Sequence, residues 1–202
     1  MNDAKAPGYT GSREPVRILV FSASLRKSSL NTRLASLASS VIDAEGGDVD
    51  LASMAEFDCP SYDGDAQDHD GFPTGAVELR RRVETCDGFV IASPEYNASL
   101  PGVLKNAVDW VSRFHPQPFN ERYGLLLSAS PSMVGGNRGL WALRVPFEHL
   151  GARIYPDMFR WRRLTRRSMT TVGSSATCLT SASGPTSATF STRSRPPSTI
   201  HA

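Results

Sequence analysis

Apolar positions along the first 160 residues switch between two periods. Val16-Arg17-Ile18-Leu19-Val20-Phe21-Ser22 is a short β-branched run bounded by Pro15 and a Ser-rich stretch, which predicts a first, central strand. Leu30, Leu34, Leu37, Val41 and Ile42 recur at helical spacing until Gly46-Gly47. Val49 and Leu51 mark a brief second strand, and residues 54–74 read as a long acidic loop punctuated by Gly and Pro. Val77, Leu79 and Val83 belong to a charged helix whose Arg80-Arg81-Arg82 is expected to be an exposed face. Gly88-Phe89-Val90-Ile91-Ala92 predicts a fully buried third strand, followed by a loop from Pro94 and a helix over Val103–Ser112. Tyr123–Ser128 supplies a fourth strand, and Ser128–Gly136 a Ser/Gly loop. Asn137–Leu150 forms a helix disturbed near Pro146, and Arg153-Ile154-Tyr155 begins a fifth strand.

Strands alternating with helices imply βαβ crossovers and a parallel sheet. Five strands suit a flavodoxin-like, doubly wound α/β fold of order 2-1-3-4-5, whose switch point lies between strands 1 and 3. The loops that meet there are Ser22–Asn31 and Ser93–Gly102.

Both loops carry chemistry. Ser22-Ala23-Ser24-Leu25-Arg26-Lys27-Ser28-Ser29-Leu30-Asn31-Thr32 joins a strand to a helix start, where unpaired N–H groups and the helix dipole favour phosphate. Hydroxyls of Ser24, Ser29 and Thr32, the Asn31 amide and the Arg26 guanidinium add donors. Alone, the same cluster also reads as a helix cap; its place at the switch point favours phosphate. It lacks both the G-x-x-x-x-G-K-[ST] and the G-x-G-x-x-G pattern. The second loop, Pro94-Glu95-Tyr96-Asn97-Ala98-Ser99-Leu100-Pro101-Gly102, is stiffened by two prolines and suits a flat ligand.

Together these loops resemble the NADPH-dependent FMN reductase family of flavodoxin-like quinone, azo-dye and chromate reductases. Ala23–Asn31 is similar to the motif G-S-x-R-x-x-S-x-N, with Ala23 in place of the glycine, which requires a negative φ there. Pro94–Trp110 follows P-E-Y-N-x-S-x-P-G-x-L-K-N-x-x-D-W without a gap, and Ser128–Gly136 resembles a third, Ser/Gly-rich loop. The resemblance spans about residues 16–158. It implies FMN as bound cofactor, with NADPH or NADH as hydride donor. Ser24, Arg26, Ser29, Asn31 and Thr32 would hold the FMN phosphate, Arg26 alternatively a phosphate of NADPH. Pro94, Glu95, Tyr96 and Asn97 would line the isoalloxazine ring, largely through backbone groups and with Tyr96 supplying aromatic surface, and Ser130, Gly135 and Gly136 would approach its pyrimidine end. It further implies a small-molecule electron acceptor, namely a quinone, azo compound, metal oxyanion or free flavin, and a homodimer or homotetramer. No side chain is expected as a nucleophile or acid–base catalyst, since the flavin carries that chemistry. The competing class is a flavodoxin-type electron carrier; an inactive truncated product is a third possibility.

Composition narrows the partners. Residues 1–159 hold 15 Lys+Arg against 20 Asp+Glu, about −5, so no basic stripe points to nucleic acid. Neither a signal-type apolar segment nor a membrane-length run is found, so a cytoplasmic location is expected. Cys59, Cys86 and Cys178 form no C-x-x-C pair, the aspartates of 58–70 with His69 match no calcium loop, and His115 and His149 stand alone, so no metal is expected. Lys105 and Asp109 read as an i, i+4 surface pair and Trp110 as core or a subunit contact rather than a ligand platform.

The domain is expected at 16–159, after an N-terminal arm of residues 1–15 lacking regular structure. Residues 161–202 hold 18 Ser or Thr among 42 residues and no acid, and periodicity is lost. Residues 160–202 are expected to be a disordered tail arising from a single-base frameshift near Arg160, which leaves the domain without a closing helix. In a shifted frame, the codons for Ala188–His201 can encode an apolar pattern of helical spacing.

Overall fold

The computed structural model describes residues 14–161. Most of the expected N-terminal arm and the tail from residue 162 lie outside the described residues, as does the expectation of a missing closing helix. Strands β1 (Arg17–Ser22), β2 (Asp48–Ser53), β3 (Gly88–Ala92), β4 (Tyr123–Ala129), β5 (Arg153–Ile154) and β6 (Phe159–Trp161) form one parallel sheet. Its order is β2-β1-β3-β4-β5, as the strand and helix alternation predicted, with β6 also paired to β4.

The sixth strand is an addition to the sequence reading. β5 pairs with Tyr123 and Gly124, and β6 with Leu127–Ala129, so the fifth position is a single broken strand. Pro156 lies in the break, where it cannot donate to the ladder. The paired backbone therefore runs to Trp161, two residues past the expected end of the domain.

Side-chain alternation splits the core in two. Leu19, Phe21, Phe89, Ile91 and Leu126 face one side, packed by helices α3 (Thr74–Glu84), α4 (Gly102–Val111) and α5 (Asn137–His149). Val20, Val90, Ala92, Leu127 and Ala129 face the other, packed by α1 (Leu30–Ala44) through Leu34 and Ala35. Trp110 is 1 % exposed, as expected of core. Lys105 and Asp109 pair at 2.6 Å. Cys86 is buried and Cys59 half-buried, both free; Cys178 lies outside the described residues.

Two expectations are corrected. Residues 54–74 are not one loop: Met54–Phe57 forms a 3₁₀ turn closed by a Ser53/Glu56 capping box, and Gly64–Asp70 forms α2, N-capped by Asp63. Both segments are too short for periodicity to reveal. Nor do the three arginines share an exposed face, since successive helical residues turn by about 100°. Arg82 lies three residues after buried Leu79 and turns inward, its side chain 13 % exposed. There it pairs with Asp50 at 2.6 Å, Glu78 at 2.7 Å and Glu56, tying α3 to β2 and the 3₁₀ turn.

The second half of the Pro94–Trp110 segment is structural. Asn106 Nδ2 donates to the Cys59 and Pro60 carbonyls at 3.1 and 2.8 Å, and its Oδ1 accepts the Tyr62 N–H at 2.8 Å. Trp110 Nε1 donates to the Pro60 carbonyl at 2.8 Å. These residues moor the 58–62 strand of loop to α4.

Candidate cofactor site

The site opens where β1 and β3 diverge. The last rung joining them is the Ala23 N–H donating to Ala92 O at 2.9 Å, and Ser93 N–H reaches Leu127 O at 2.8 Å. Beyond these bonds the chain leaves the sheet at the carboxyl ends of its central strands, the place where open α/β sheets bind ligands. Ala23 is fully buried and avoids the left-handed region, so alanine serves where the motif has glycine.

A cleft of about 350 Å³ lies there. It is lined by Ser24, Arg26, Ser28, Ser29, Leu30 and Asn31 on one wall, Pro94, Glu95 and Tyr96 on a second, and Ala129, Ser130 and Pro131 on a third. Eight of the twelve residues singled out by sequence therefore meet in one cleft. Four do not line it: Thr32 and Asn97 are exposed beside it, and Gly135 and Gly136 are buried at the start of α5. Ser28, Leu30, Ala129 and Pro131 are cleft residues that the sequence reading did not select. Ser28 sits in the same Ser-rich loop, a usable signal; Ala129 and Pro131 carry no side-chain signature.

The first wall is a helix start. Ser29 is the N-cap of α1, its Oγ accepting the Asn31 N–H at 3.1 Å. The other early N–H groups of the helix have no intrahelical acceptor and present the positive dipole end. Arg26 makes no ion pair among the described residues, which leaves its guanidinium available. Asn31 differs from expectation. Its side chain is buried and spans to β4, with Nδ2 donating to Ala129 O at 3.1 Å and Oδ1 accepting the Ala129 N–H at 2.8 Å. The amide fastens the first wall to the third.

The second wall is a tight hairpin. Tyr96 and Ser99 exchange both backbone hydrogen bonds at 3.0 Å, and the central Asn97 and Ala98 have φ of 52° and 62°. Positive φ at both central residues belongs to a type I′ turn. Ala98 is strained there, and the turn projects Tyr96, which is 50 % exposed.

Glu95 lines the cleft, yet its carboxylate is occupied. Oε1 accepts from Arg138 Nε and Nη2 at 3.0 and 2.8 Å, and Oε2 accepts the Gly139 N–H at 3.0 Å. Burial alone would raise its pKa; the Gly139 N–H and the Arg138 guanidinium outweigh that and hold the carboxyl below its usual value. Behind it, Gly135 and Gly136 are consecutive left-handed residues with φ of 66° and 83°. A Cβ on Gly136 would lie 2.0 Å from Ser128 Oγ, so only glycine fits.

This donor set suits a phosphorylated, flat cofactor. Three hydroxyls, a guanidinium and a helix start converge on one end, and a proline and a tyrosine border the other. The one acid among the lining residues is neutralised, so no carboxylate opposes an anion. Among the described residues no group of three His, Cys, Asp or Glu could hold a metal ion. No helix among them is long and apolar enough to cross a membrane.

Comparison with known proteins agrees with this geometry. The quinone reductase of Escherichia coli (strain K12) is 37 % identical over 141 residues, 70 % of this chain and 74 % of that protein. An NAD(P)H-dependent FMN reductase of Pseudomonas aeruginosa is 34 % identical over 131 residues, 65 % of this chain and 69 % of that protein. Among solved structures, FerB, a flavoenzyme NAD(P)H:(acceptor) oxidoreductase from Paracoccus denitrificans, superposes with a TM-score of 0.65 at 25 % identity, covering 75 % of this chain and 81 % of that one. The NADPH-dependent FMN reductase family itself matches residues 16–162, a span that takes in every element of the sheet and all three walls of the cleft. By its sheet order, its cleft and this match, the chain belongs to the NADPH-dependent FMN reductase family.

Proposed function

We propose that the chain is an FMN-dependent NAD(P)H oxidoreductase that passes electrons to a quinone or another small acceptor. The observation that carries this reading is the three-walled cleft at the switch point, with its phosphate-type donors at one end and Tyr96 at the other. When bound, FMN supplies hydride acceptance from the reduced nicotinamide and electron delivery to the acceptor. The chain's own residues bind and orient. Ser24, Ser28, Ser29 and Arg26 hold the phosphate, helped by the N–H groups at the start of α1. Pro94 and Tyr96 border the ring, and Ser130 closes the third wall. Thr32, Asn97, Gly135 and Gly136 act from beside the cleft, and Asn31 acts chiefly by fastening the walls. The open face of the cleft admits donor and acceptor in turn, which implies ping-pong kinetics.

The relatives named for quinone reduction support a quinone as acceptor. The working unit in this reading is a homodimer or homotetramer in the cytoplasm; gel filtration with light scattering tests the first part.

The direct test is anaerobic. Protein reconstituted with FMN should bleach the flavin on addition of NADPH, and steady NADPH oxidation should follow addition of a quinone. An unchanged flavin spectrum in excess NADPH sinks the reading. Bleaching without turnover returns the chain to the electron-carrier class. Arg26→Ala should weaken FMN binding by about 1.5–3 kcal/mol, the range of a charge-assisted hydrogen bond.

A further inference from the structure

We propose that Glu95 is a positioning residue that sets the ring-side wall of the cleft by bracing the Tyr96 hairpin against the first turn of α5. The proposal rests on the flavin reading above and gives a role to the Glu95 side chain, where the family resemblance implied chiefly backbone contacts.

Helix α5 cannot cap itself. Its N-cap is Gly136, in the left-handed region and without a side chain. The N–H of Gly139, three residues on, is one of the donors that a helix start leaves unpaired. Glu95, 44 positions earlier in the chain, supplies the acceptor through Oε2, and its negative charge sits at the positive end of the helix. Oε1 takes both the Nε and the Nη2 of Arg138 from the same turn. The Glu95 side chain is 12 % exposed and that of Arg138 61 %, so the carboxylate is turned into the protein and the arginine closes over it.

Contact between the two segments is as close as backbone permits. A Cβ on Gly139 would lie 3.0 Å from Glu95 Cβ, 3.1 Å from Glu95 Cα and 3.1 Å from Ser99 O. One on Gly136 would come 3.9 Å from Glu95 Cβ. The hairpin therefore lies directly on the Gly135–Gly139 segment, and the Glu95 carboxylate is the polar bond between them. Tyr96 is the next residue, so a shift of Glu95 moves Tyr96. The strained Asn97-Ala98 turn needs such an external brace to persist. Among the described residues, all three polar contacts of the carboxylate are to α5.

The test uses the full chain and the variants Glu95→Ala, Glu95→Gln, Arg138→Ala and Glu95→Ala/Arg138→Ala. Without flavin, hydrogen exchange is followed at residues 94–101, 136–140 and 24–32. Glu95→Ala should speed exchange in the first two segments by about tenfold or more, and leave 24–32 unchanged. FMN and riboflavin affinities are then measured by fluorescence quenching. Glu95→Ala should weaken both by the same factor, about tenfold, because the ring wall is lost and the phosphate end is not. Glu95→Gln should recover part of the loss, since its amide oxygen still accepts the Gly139 N–H. The double variant should bind no worse than Glu95→Ala alone, because Arg138 acts through Glu95.

Unchanged exchange at 136–140 in Glu95→Ala overturns the proposal. So do losses that multiply in the double variant, or a Glu95→Ala loss confined to FMN. If Glu95→Ala does not fold, the same exchange and binding criteria apply to Glu95→Gln and Arg138→Ala. A wild-type chain that binds neither flavin overturns the cofactor reading instead, and the exchange measurements still decide the role of Glu95.

Discussion

Replacing Asn31 with alanine should cost more than any other single polar truncation near the cleft. Asn31 is 3 % exposed and Ala129 4 %. The side chain satisfies a donor and an acceptor of one β4 residue, 98 positions away, at 2.8 and 3.1 Å. Truncation removes two hydrogen bonds, each worth about 1 kcal/mol net, and leaves freed polar groups in a buried site at about 1–3 kcal/mol each. The adjoining cleft lets water reach part of the gap, so the expected loss is about 2–4 kcal/mol. For a domain of this size that corresponds to a fall in Tm of about 5–15 °C. Asn31→Asp should do no better, because it keeps the acceptor for the Ala129 N–H but sets a carboxylate oxygen against the Ala129 carbonyl. Urea unfolding followed by circular dichroism, with m unchanged, measures the loss directly. A decrease below about 1 kcal/mol for Asn31→Ala would refute the reasoning, since the two bonds would then not be buried and intact.

Acid should weaken the charged cluster on α3. The Glu78 carboxyl is held at about 2 by hydrogen bonds from Arg81 and then Arg82, against an ordinary value of 4.5. A pKa lowered by folding adds stability above about pH 4.5 that is lost as pH falls towards 2. Urea midpoints should drop through that window, and Glu78→Gln should flatten part of the drop; an identical pH profile in the variant would remove Glu78 from the account. Burial, and then the neighbouring Asp58 carboxylate, push the Cys59 thiol up to about 11. In a Cys178→Ser background at pH 8, thiol reagents should therefore label the native chain far more slowly than the urea-unfolded chain, and equal rates would contradict this. Resequencing the gene across the Arg160 codon should find a one-base insertion or deletion. An intact frame in close relatives that encodes the same Ser/Thr/Arg tail would rule that out.

The sheet order was legible because periodicity is long-lived in this chain. Five β-type runs separated by four helical segments leave few alternatives once crossovers must be right-handed. The cleft was legible for the same reason: the two loops with unusual chemistry, Ser22–Thr32 and Pro94–Gly102, fall at the two strand ends where this topology reverses. Residue type alone could also place Ser29 at a helix start and Trp110 in the core.

What sequence could not assign was direction. Asn31 and Arg82 read as facing ligand and water, and nothing local gives the Glu95 carboxylate a partner. The folded chain turns all three inward, towards Ala129, Gly139 and Asp50, partners 98, 44 and 32 positions away. A side chain's partner at that range is fixed only when sheet and helices are packed, because no local pattern encodes it. The short elements followed the same rule: α2 and the 3₁₀ turn span too few residues to show a period, and β6 exists because the end of β4 offers it an open ladder. Local sequence determined which ligand chemistry the loops carry. Tertiary packing decided which of their residues line the cleft and which hold its walls in place.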